Sequence, residues 1–242
     1  MPSLDLVGDI EDALYRSWRA RECVTYDGWQ LRYADGFSRR ANSVYPAEPS
    51  RLSHTEKLDY CRRWYRERAH DLLVRQTPAT ESGLDVVLAK DGFSLEGATE
   101  VMVGKLGGRS GEISVEATPS SEWWNTTADL WGFDLSTPTG WSGMINRIDQ
   151  PAGFACVNGQ AAGFAVVVGA WVGLFEIVVA ANRRGRGLGR AVTDSLLQWG
   201  SKVGAQRAYL QVLADNKNAI RFYRSRGFER EYGYWYRRDR GN

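Results

Sequence analysis

The chain has 242 residues, 43% hydrophobic and 25% charged, with 31 basic and 29 acidic side chains and a formal net charge of +2. This length lies between one average domain and two and is ample for a hydrophobic core. Its 26 Gly and 7 Pro are too few for a disordered chain. So small a net charge does not imply a polyanionic partner. Three cysteines, Cys23, Cys61 and Cys156, form no pair with metal-ligand or redox spacing, and the only histidines are His54 and His70. No metal is expected. The first residues carry acids where a signal peptide needs an apolar core, and the uncharged run 161–175 is short of the roughly 20 residues that span a bilayer. The expectation is a soluble cytoplasmic protein with no membrane partner.

Ile10, Ala13, Leu14 and Trp18 recur at helical spacing and predict a helix over 9–21. A strand is expected over 29–34, with Asp35-Gly36 as turn chemistry, and a second over 40–45, ended by Pro46. A helix over 54–68 places Leu58, Cys61, Trp64 and Tyr65 on one face and Arg62, Arg63, Arg66 and Arg68 on a solvated one. A strand over 72–76, a helix over 84–90 and a strand over 98–106 follow. The glycines Gly104, Gly107, Gly108 and Gly111 then mark a boundary. Segment 117–151, rich in Trp, Ser, Thr and Asp, has no clear period. Beyond it, Asn158-Gly159 between strands over 154–157 and 161–168 is a strong hairpin signal. Next come a strand over 171–180, a glycine–arginine loop, an amphipathic helix over 188–203 and a strand over 207–213. A helix over 216–226 closes on Gly227, and the last strands lie within 228–238. This order implies an α/β (α+β) fold, a mixed sheet with helices packed on it. The halves echo each other: strand, helix, strand, helix, then Gly-Phe and a strand, with Gly92-Phe93 and Gly227-Phe228 in matching places.

The segment from Ile177 to Arg190 runs a strand straight into a glycine loop that opens a helix. Glycines let the backbone approach a ligand closely, and the helix N-terminus adds partial positive charge. Arg183, Arg184, Arg186 and Arg190 add full charges. This combination suits a pyrophosphate. It is not a Walker loop, because no Lys-Ser or Lys-Thr follows, nor a dinucleotide fingerprint, because Gly185, Gly187 and Gly189 are spaced G-x-G-x-G.

The spacing Arg184-x-x-Gly187-x-Gly189, with the apolar Val179 five positions before the arginine, resembles the coenzyme A loop of the GNAT superfamily of acyl-CoA N-acyltransferases. Asn216-x-x-Ala219-x-x-Phe222-Tyr223-x-x-x-Gly227-Phe228 resembles its second signature. The likeness covers about 152–242; Ala181 departs from it, where many members carry Pro. Trp29 to Pro46 looks like the N-terminal portion of bacterial members with a second, degenerate domain. The resemblance implies two GNAT-like mixed sheets flanked by helices: a degenerate domain over 1–110 without a coenzyme A loop, and a complete catalytic domain over 111–242.

It further implies transfer of an acetyl group from acetyl-CoA to a primary amine of a small metabolite or amino acid, by direct attack in a ternary complex. Arg184, Gly185, Arg186, Gly187, Leu188, Gly189 and Arg190 would hold the pyrophosphate. The backbone of Ile177, Val178 and Val179 would hold pantetheine and polarise the thioester. Tyr223 matches the family's general acid and is otherwise a core aromatic. Asn216 matches a residue that touches the coenzyme A arm and also suits a helix N-cap. Glu176, a carboxylate in an apolar strand, is either the general base or the partner of an arginine. Arg39, Arg40, Asn42 and Ser43 either line the acceptor site or satisfy an interdomain interface. Trp123, Trp124, Trp131 and Trp141 either fill the core or wall the acceptor pocket. Cys156 is either structural or flanks the site. Two other functions stay open: a protein or peptide N-acetyltransferase and a non-catalytic acyl-CoA-binding module. The arginine-rich stretch 220–242 carries no nucleic-acid motif, so no nucleic-acid partner is expected. The chain is expected to be a monomer or homodimer.

Overall fold

The computed structural model describes residues 3–46, 51–107, 110–136 and 140–240. Helix α1 (Leu4–Ser17) starts at Ser3, whose hydroxyl accepts from the Leu6 N–H, and buries Val7, Ile10, Ala13 and Leu14. Strands β1 (Glu22–Tyr26) and β2 (Trp29–Tyr33) form a hairpin turned by Asp27 and Gly28, both at positive φ. No residue of β1 is fully buried, so it lacks the apolar alternation that would announce it. The strand expected over 40–45 starts late: its first two residues belong to a 3-10 turn, Arg39–Ala41, and β3 (Val44–Pro46) begins only at Val44. Helix α2 (His54–Arg66) opens with a capping box between Ser53 and Glu56 and buries the expected apolar face. Its arginines do more than meet solvent. Arg62 bridges Asp91 and Asp239, and Arg68 lies over Trp64 and pairs with Glu22. Strand β4 (Leu72–Gln76), helix α3 (Leu84–Lys90) and strand β5 (Ser94–Lys105) follow.

Gly108, part of the expected boundary, lies outside the described residues. The segment without a period holds β6 (Val115–Glu116), α4 (Ser121–Trp131) and α5 (Gly140–Asn146). Strands β7 (Ala152–Val157) and β8 (Ala161–Val168) form the hairpin around Asn158-Gly159. Then come β9 (Trp171–Val179), α6 (Leu188–Val203), β10 (Arg207–Leu213), α7 (Lys217–Ser225) and β11 (Phe228–Asp239). The echo between the halves is real at the backbone: Gly92 and Gly227, just after α3 and α7, sit at φ +84° and +77°.

The expected mixed sheet with helices on it is present, but the two sheets are joined into one of eleven strands, ordered β1-β2-β3-β4-β11-β5-β10-β9-β8-β7-β6. The cause is a reciprocal exchange of closing strands. In the first half β4 and α3 lead to β5, yet β5 pairs with β10 of the second half, from Lys105↔Arg207 to Thr99↔Leu213. In the second half β10 and α7 lead to β11, yet β11 pairs with β4, from Gln76↔Trp235 to Leu72↔Asp239. β5 and β11 then pair with each other at the centre. Each would otherwise leave an unpaired edge, and the exchange removes both.

Helix α1 joins the other half in the same way. Val7, Ile10, Leu14 and Trp18 pack with Phe164 of β8 and Phe175 of β9, in a cluster that also holds Trp123 and Trp141. The other face of these strands carries α6 and α7 over Leu196, Leu210, Ile220 and Phe228. The third core lies under α2 and α3, around Leu58, Tyr65, Val74 and Leu88. No helix among the described residues is long and apolar enough to cross a membrane.

One charged group is buried where the halves meet. Arg75 of β4 grips Glu11 of α1 with two contacts, Nε–Oε2 at 2.9 Å and Nη2–Oε1 at 2.8 Å. Its Nη1 donates to the Tyr236 hydroxyl at 3.0 Å, and its guanidinium lies 3.4 Å from the Tyr234 ring centroid. The Tyr232 hydroxyl donates to Glu11 Oε1 at 2.6 Å. Removing one member of such a pair strands a buried charge, at a cost of about 3–5 kcal/mol. Arg75→Met should lower the unfolding free energy in urea by about that amount, and adding Glu11→Leu should restore part of it.

Candidate active site

Strand β9 is paired on both sides only at its start. It runs antiparallel to β8 up to Val179, but parallel to β10 only from Trp171 to Leu174. At Glu176 φ is +48°, and the register against β8 slips by one residue between Ala162 and Phe164, which makes a β-bulge. Gly163 opposite it permits the close approach, since a Cβ there would lie 2.8 Å from Ile177 Cγ1. Beyond Leu174 the two strands part. A cleft of about 580 Å³ opens between them, walled by β9, β10, α7 and β11, and by Arg39, Arg40 and Thr99 from the first half.

Of the expected site residues, Glu176, Ile177, Asn216 and Tyr223 line this cleft. Tyr223 is half-buried, and its ring meets Phe222 and Phe228 edge-on. Burial raises the pKa of its phenol well above the ordinary value, and the charge of Glu176 adds to the effect. Its hydroxyl makes no hydrogen bond among the described residues. The Asn216 side chain accepts from the Ala219 N–H at 3.1 Å, so it does cap α7. Glu176 Oε1 accepts from Arg40 Nη2 at 3.0 Å, and its carbonyl accepts from Trp131 Nε1 at 3.3 Å. Glu176 Oε2 has no partner among the described residues. Val178 and Val179 continue β9 along the opening, paired with Ala162 and Ala161.

The glycine–arginine loop lies next along the chain and is exposed from Ala181 to Gly187. Gly185 and Gly187 take φ +75° and +82°, conformations closed to most side chains. Gly187 is the N-terminal cap position of α6, and Leu188 is its first residue. The backbone N–H groups of Gly185, Arg186, Gly187 and Leu188 find no acceptor among the described residues, which leaves donors free at a helix N-terminus. Gly189 faces Val179, where a Cβ would make an ordinary contact of 3.4 Å with Val179 Cγ2. Arg184 Nε donates to the Val179 carbonyl at 3.3 Å, and Arg190 pairs with Asp194 one turn on. The loop thus fits an anionic ligand whose other end reaches the cleft. No group of three or more His, Cys, Asp or Glu among the described residues is placed to hold a metal ion.

Sequence reading left the first half's contribution open, and the structure divides it. Arg39 and Arg40 line the cleft, whereas Asn42 and Ser43 are buried. Asn42 pins the loop that carries the arginines. Its Oδ1 accepts from the N–H groups of Ala34 and Gly36 at 2.8 and 3.0 Å, and its Nδ2 donates to the carbonyls of Phe37 and Ser38 at 2.7 and 2.8 Å. Of the tryptophans, Trp123 and Trp141 are core, while Trp131 is 43% exposed and reaches the cleft. Cys156 on β7 does not line it. Tyr234 and Tyr236 also line the cleft, and no sequence motif marks them. Their alternation in the last strand was visible, but not the face it meets.

Residues 7–237 match the sequence model of the family described as "Probable histone acetyltransferase Rv0428c C-terminal". The chain belongs to that family. It is a GNAT protein and an acyl-CoA-dependent N-acyltransferase. It is 26% identical over 237 residues to the uncharacterized N-acetyltransferase YobR of Bacillus subtilis, covering 93% of this chain and 95% of that one. It is 28% identical over 218 residues to the probable histone acetyltransferase Rv0428c of Mycobacterium tuberculosis, covering 84% of this chain and 65% of the relative. A GCN5-related N-acetyltransferase from Kribbella flavida shares the fold at a TM-score of 0.72 and 18% identity, over 97% of this chain and 96% of that one. In this acyltransferase the pinned loop can be tested directly. Asn42→Ala removes a buried side chain that satisfies four backbone groups, and should cost about 3 kcal/mol in urea unfolding.

Proposed function

We propose that the protein transfers the acetyl group of acetyl-CoA to the primary amine of a small metabolite or amino acid, by direct attack in a ternary complex. The observation that carries this reading is the opening of β9 away from β10, which brings Glu176, Tyr223 and unpaired strand backbone into one cleft beside the glycine–arginine loop. In the proposal the free N–H groups of 185–188 and the charges of Arg184, Arg186 and Arg190 hold the pyrophosphate. Backbone of Ile177, Val178 and Val179 lies along pantetheine, and an N–H of this stretch stabilises the negative charge that grows on the thioester oxygen. Asn216 contacts the coenzyme A arm. The amine nitrogen bonds to the carbonyl carbon as the C–S bond breaks. Glu176, through Oε2, takes the proton released from nitrogen, and Tyr223 gives its proton to the leaving sulfur. The three cysteines are all free, which supports a reducing, cytoplasmic setting.

A protein acceptor is the second reading. It is supported by the name of the mycobacterial relative, and the arginines that face the cleft weigh against a basic peptide there. A non-catalytic binding module has no use for Tyr223 and Glu176 facing one cleft.

Acetyl-CoA at about 100 times its Kd should raise Tm by roughly 5–10 °C, because a ligand bound only by the folded state stabilises it. Gly187→Glu should abolish that shift, since it puts bulk and negative charge against the pyrophosphate and forces a side chain into positive φ. Thermal melts with and without acetyl-CoA check both. Tyr223→Phe should lower kcat about 100- to 1,000-fold with little change in acetyl-CoA binding. Because the phenol is held above its ordinary pKa, the wild type keeps its acid through pH 9. A pH profile of thiol release in which kcat falls between pH 8 and 9 through loss of this acid contradicts the assignment.

A further inference from the structure

Arg39 is the cleft arginine whose guanidinium makes no hydrogen bond among the described residues. Three charged side chains line the cleft among the described residues: Arg39, Arg40 and Glu176. Arg40 is spoken for. It pairs with Glu176 at 3.0 Å and lies 4.3 Å from the Trp18 ring centroid. Arg39 has one acidic neighbour, Glu96, with Nη1 at 3.7 Å, beyond hydrogen-bond length. Both oxygens of that carboxylate accept from Arg238, at 2.8 and 2.9 Å, and Arg238 also donates to Asp71 at 2.7 Å, so the hydrogen bonds of Glu96 go to Arg238 and not to Arg39. The Arg39 side chain, 41% exposed, therefore keeps its donors free.

Its position is built rather than incidental. Arg39 opens the 3-10 turn that follows Ser38, a non-glycine residue at φ +65°. Such a conformation costs free energy and persists only where the surroundings enforce it. Here the Asn42 side chain binds the Ser38 carbonyl, and Trp18 Nε1 donates to the Ser38 hydroxyl at 3.1 Å. Below the guanidinium, β5 bulges at Gly97, φ +62°, where a Cβ would come within 2.9 Å of Arg39 Nε. The guanidinium also lies 5.8 Å from the Tyr236 ring centroid. A strained turn on one side and a glycine on the other hold the Arg39 guanidinium at the wall of the cleft with its N–H groups unbonded.

We propose that Arg39 reads a carboxylate on the acceptor, so that the protein acetylates amines that also carry a carboxylate, as amino acids do. The planar fork of an arginine matches a carboxylate by two parallel hydrogen bonds. The surplus positive charge repels a cationic peptide from the same wall. The inference rests on the acyltransfer reading of this cleft, and it assigns Arg39 to specificity, outside the chemical step.

The test uses the whole chain and matched pairs: L-phenylalanine with 2-phenylethylamine, L-leucine with 3-methylbutylamine, and L-lysine with cadaverine, plus a lysine-rich peptide. Two readouts are taken: thiol release with acetyl-CoA, and calorimetric titration of the acceptor without turnover. In the wild type the carboxylate member of at least one pair should be preferred by about 10- to 100-fold in kcat/KM and in Kd. Arg39→Gln should collapse that ratio toward one by raising the acceptor KM, and Arg39→Lys should restore part of it. Turnover without discrimination, preference for the peptide, no response to any pair, or a rise in the KM of acetyl-CoA in place of the acceptor's overturns the proposal. Discrimination in the titration without thiol release sustains the carboxylate site and defeats the acyltransfer reading instead.

Discussion

The pairing of β11 with both β4 and β5 is the constraint on which the rest of the molecule hangs. It places a strand of the second half inside the sheet of the first, so the halves cannot be arranged independently. Three consequences meet at the cleft. β11 brings Tyr234 and Tyr236 to one wall, β5 brings Thr99 and the seat at Gly97, and the turn carrying Arg39 and Arg40 rests above them. The second half supplies the loop, the bulge and Tyr223. The first half supplies the opposite wall.

The buried ion pair makes sense in that setting. A salt bridge in an apolar interior adds little net stability against a hydrophobic replacement, but it is intolerant of misplacement. Arg75 on β4 has to find Glu11 of α1 together with Tyr234 and Tyr236 of β11. A register slip of β11 by one residue would turn those tyrosines away and strand the charge. The cluster therefore reports on whether the exchanged strand is seated correctly. The same register fixes the wall facing Glu176.

Much of this was legible in the sequence, and the division has a physical basis. Helix α6, strand β10, the Asn158-Gly159 hairpin and the glycine–arginine loop are local patterns, fixed by residues close in sequence, and they lie where their period and turn chemistry put them. The twin Gly-Phe steps gave away the echo between halves. What periodicity does not encode is partner choice. Nothing near Phe228 states that it will face Gly104, or that Trp235 will face Gln76. Strand β1 and helices α4 and α5 were missed for a milder reason, since their apolar residues are too few or too irregular to set a period. For Arg39 and Arg40 the sequence leaves interface and acceptor roles open, because the deciding fact is the set of carboxylates around them, and those come from β5 and β9.

The exchanged strand also has a bearing on how the chain is made. β11 is synthesised after the other ten strands, yet its slot lies in the middle of the sheet. Until it emerges from the ribosome, β4 and β5 each present a row of unpaired backbone groups, and Arg75 and Glu11 lack their tyrosine partners. A nascent chain in that state is an open template for another strand. The sheet is continuous only when β11 pairs between β4 and β5. Strands β4 and β5 thus depend on a partner made after both of them, and Arg75 meets its tyrosine partners only when that strand is in place.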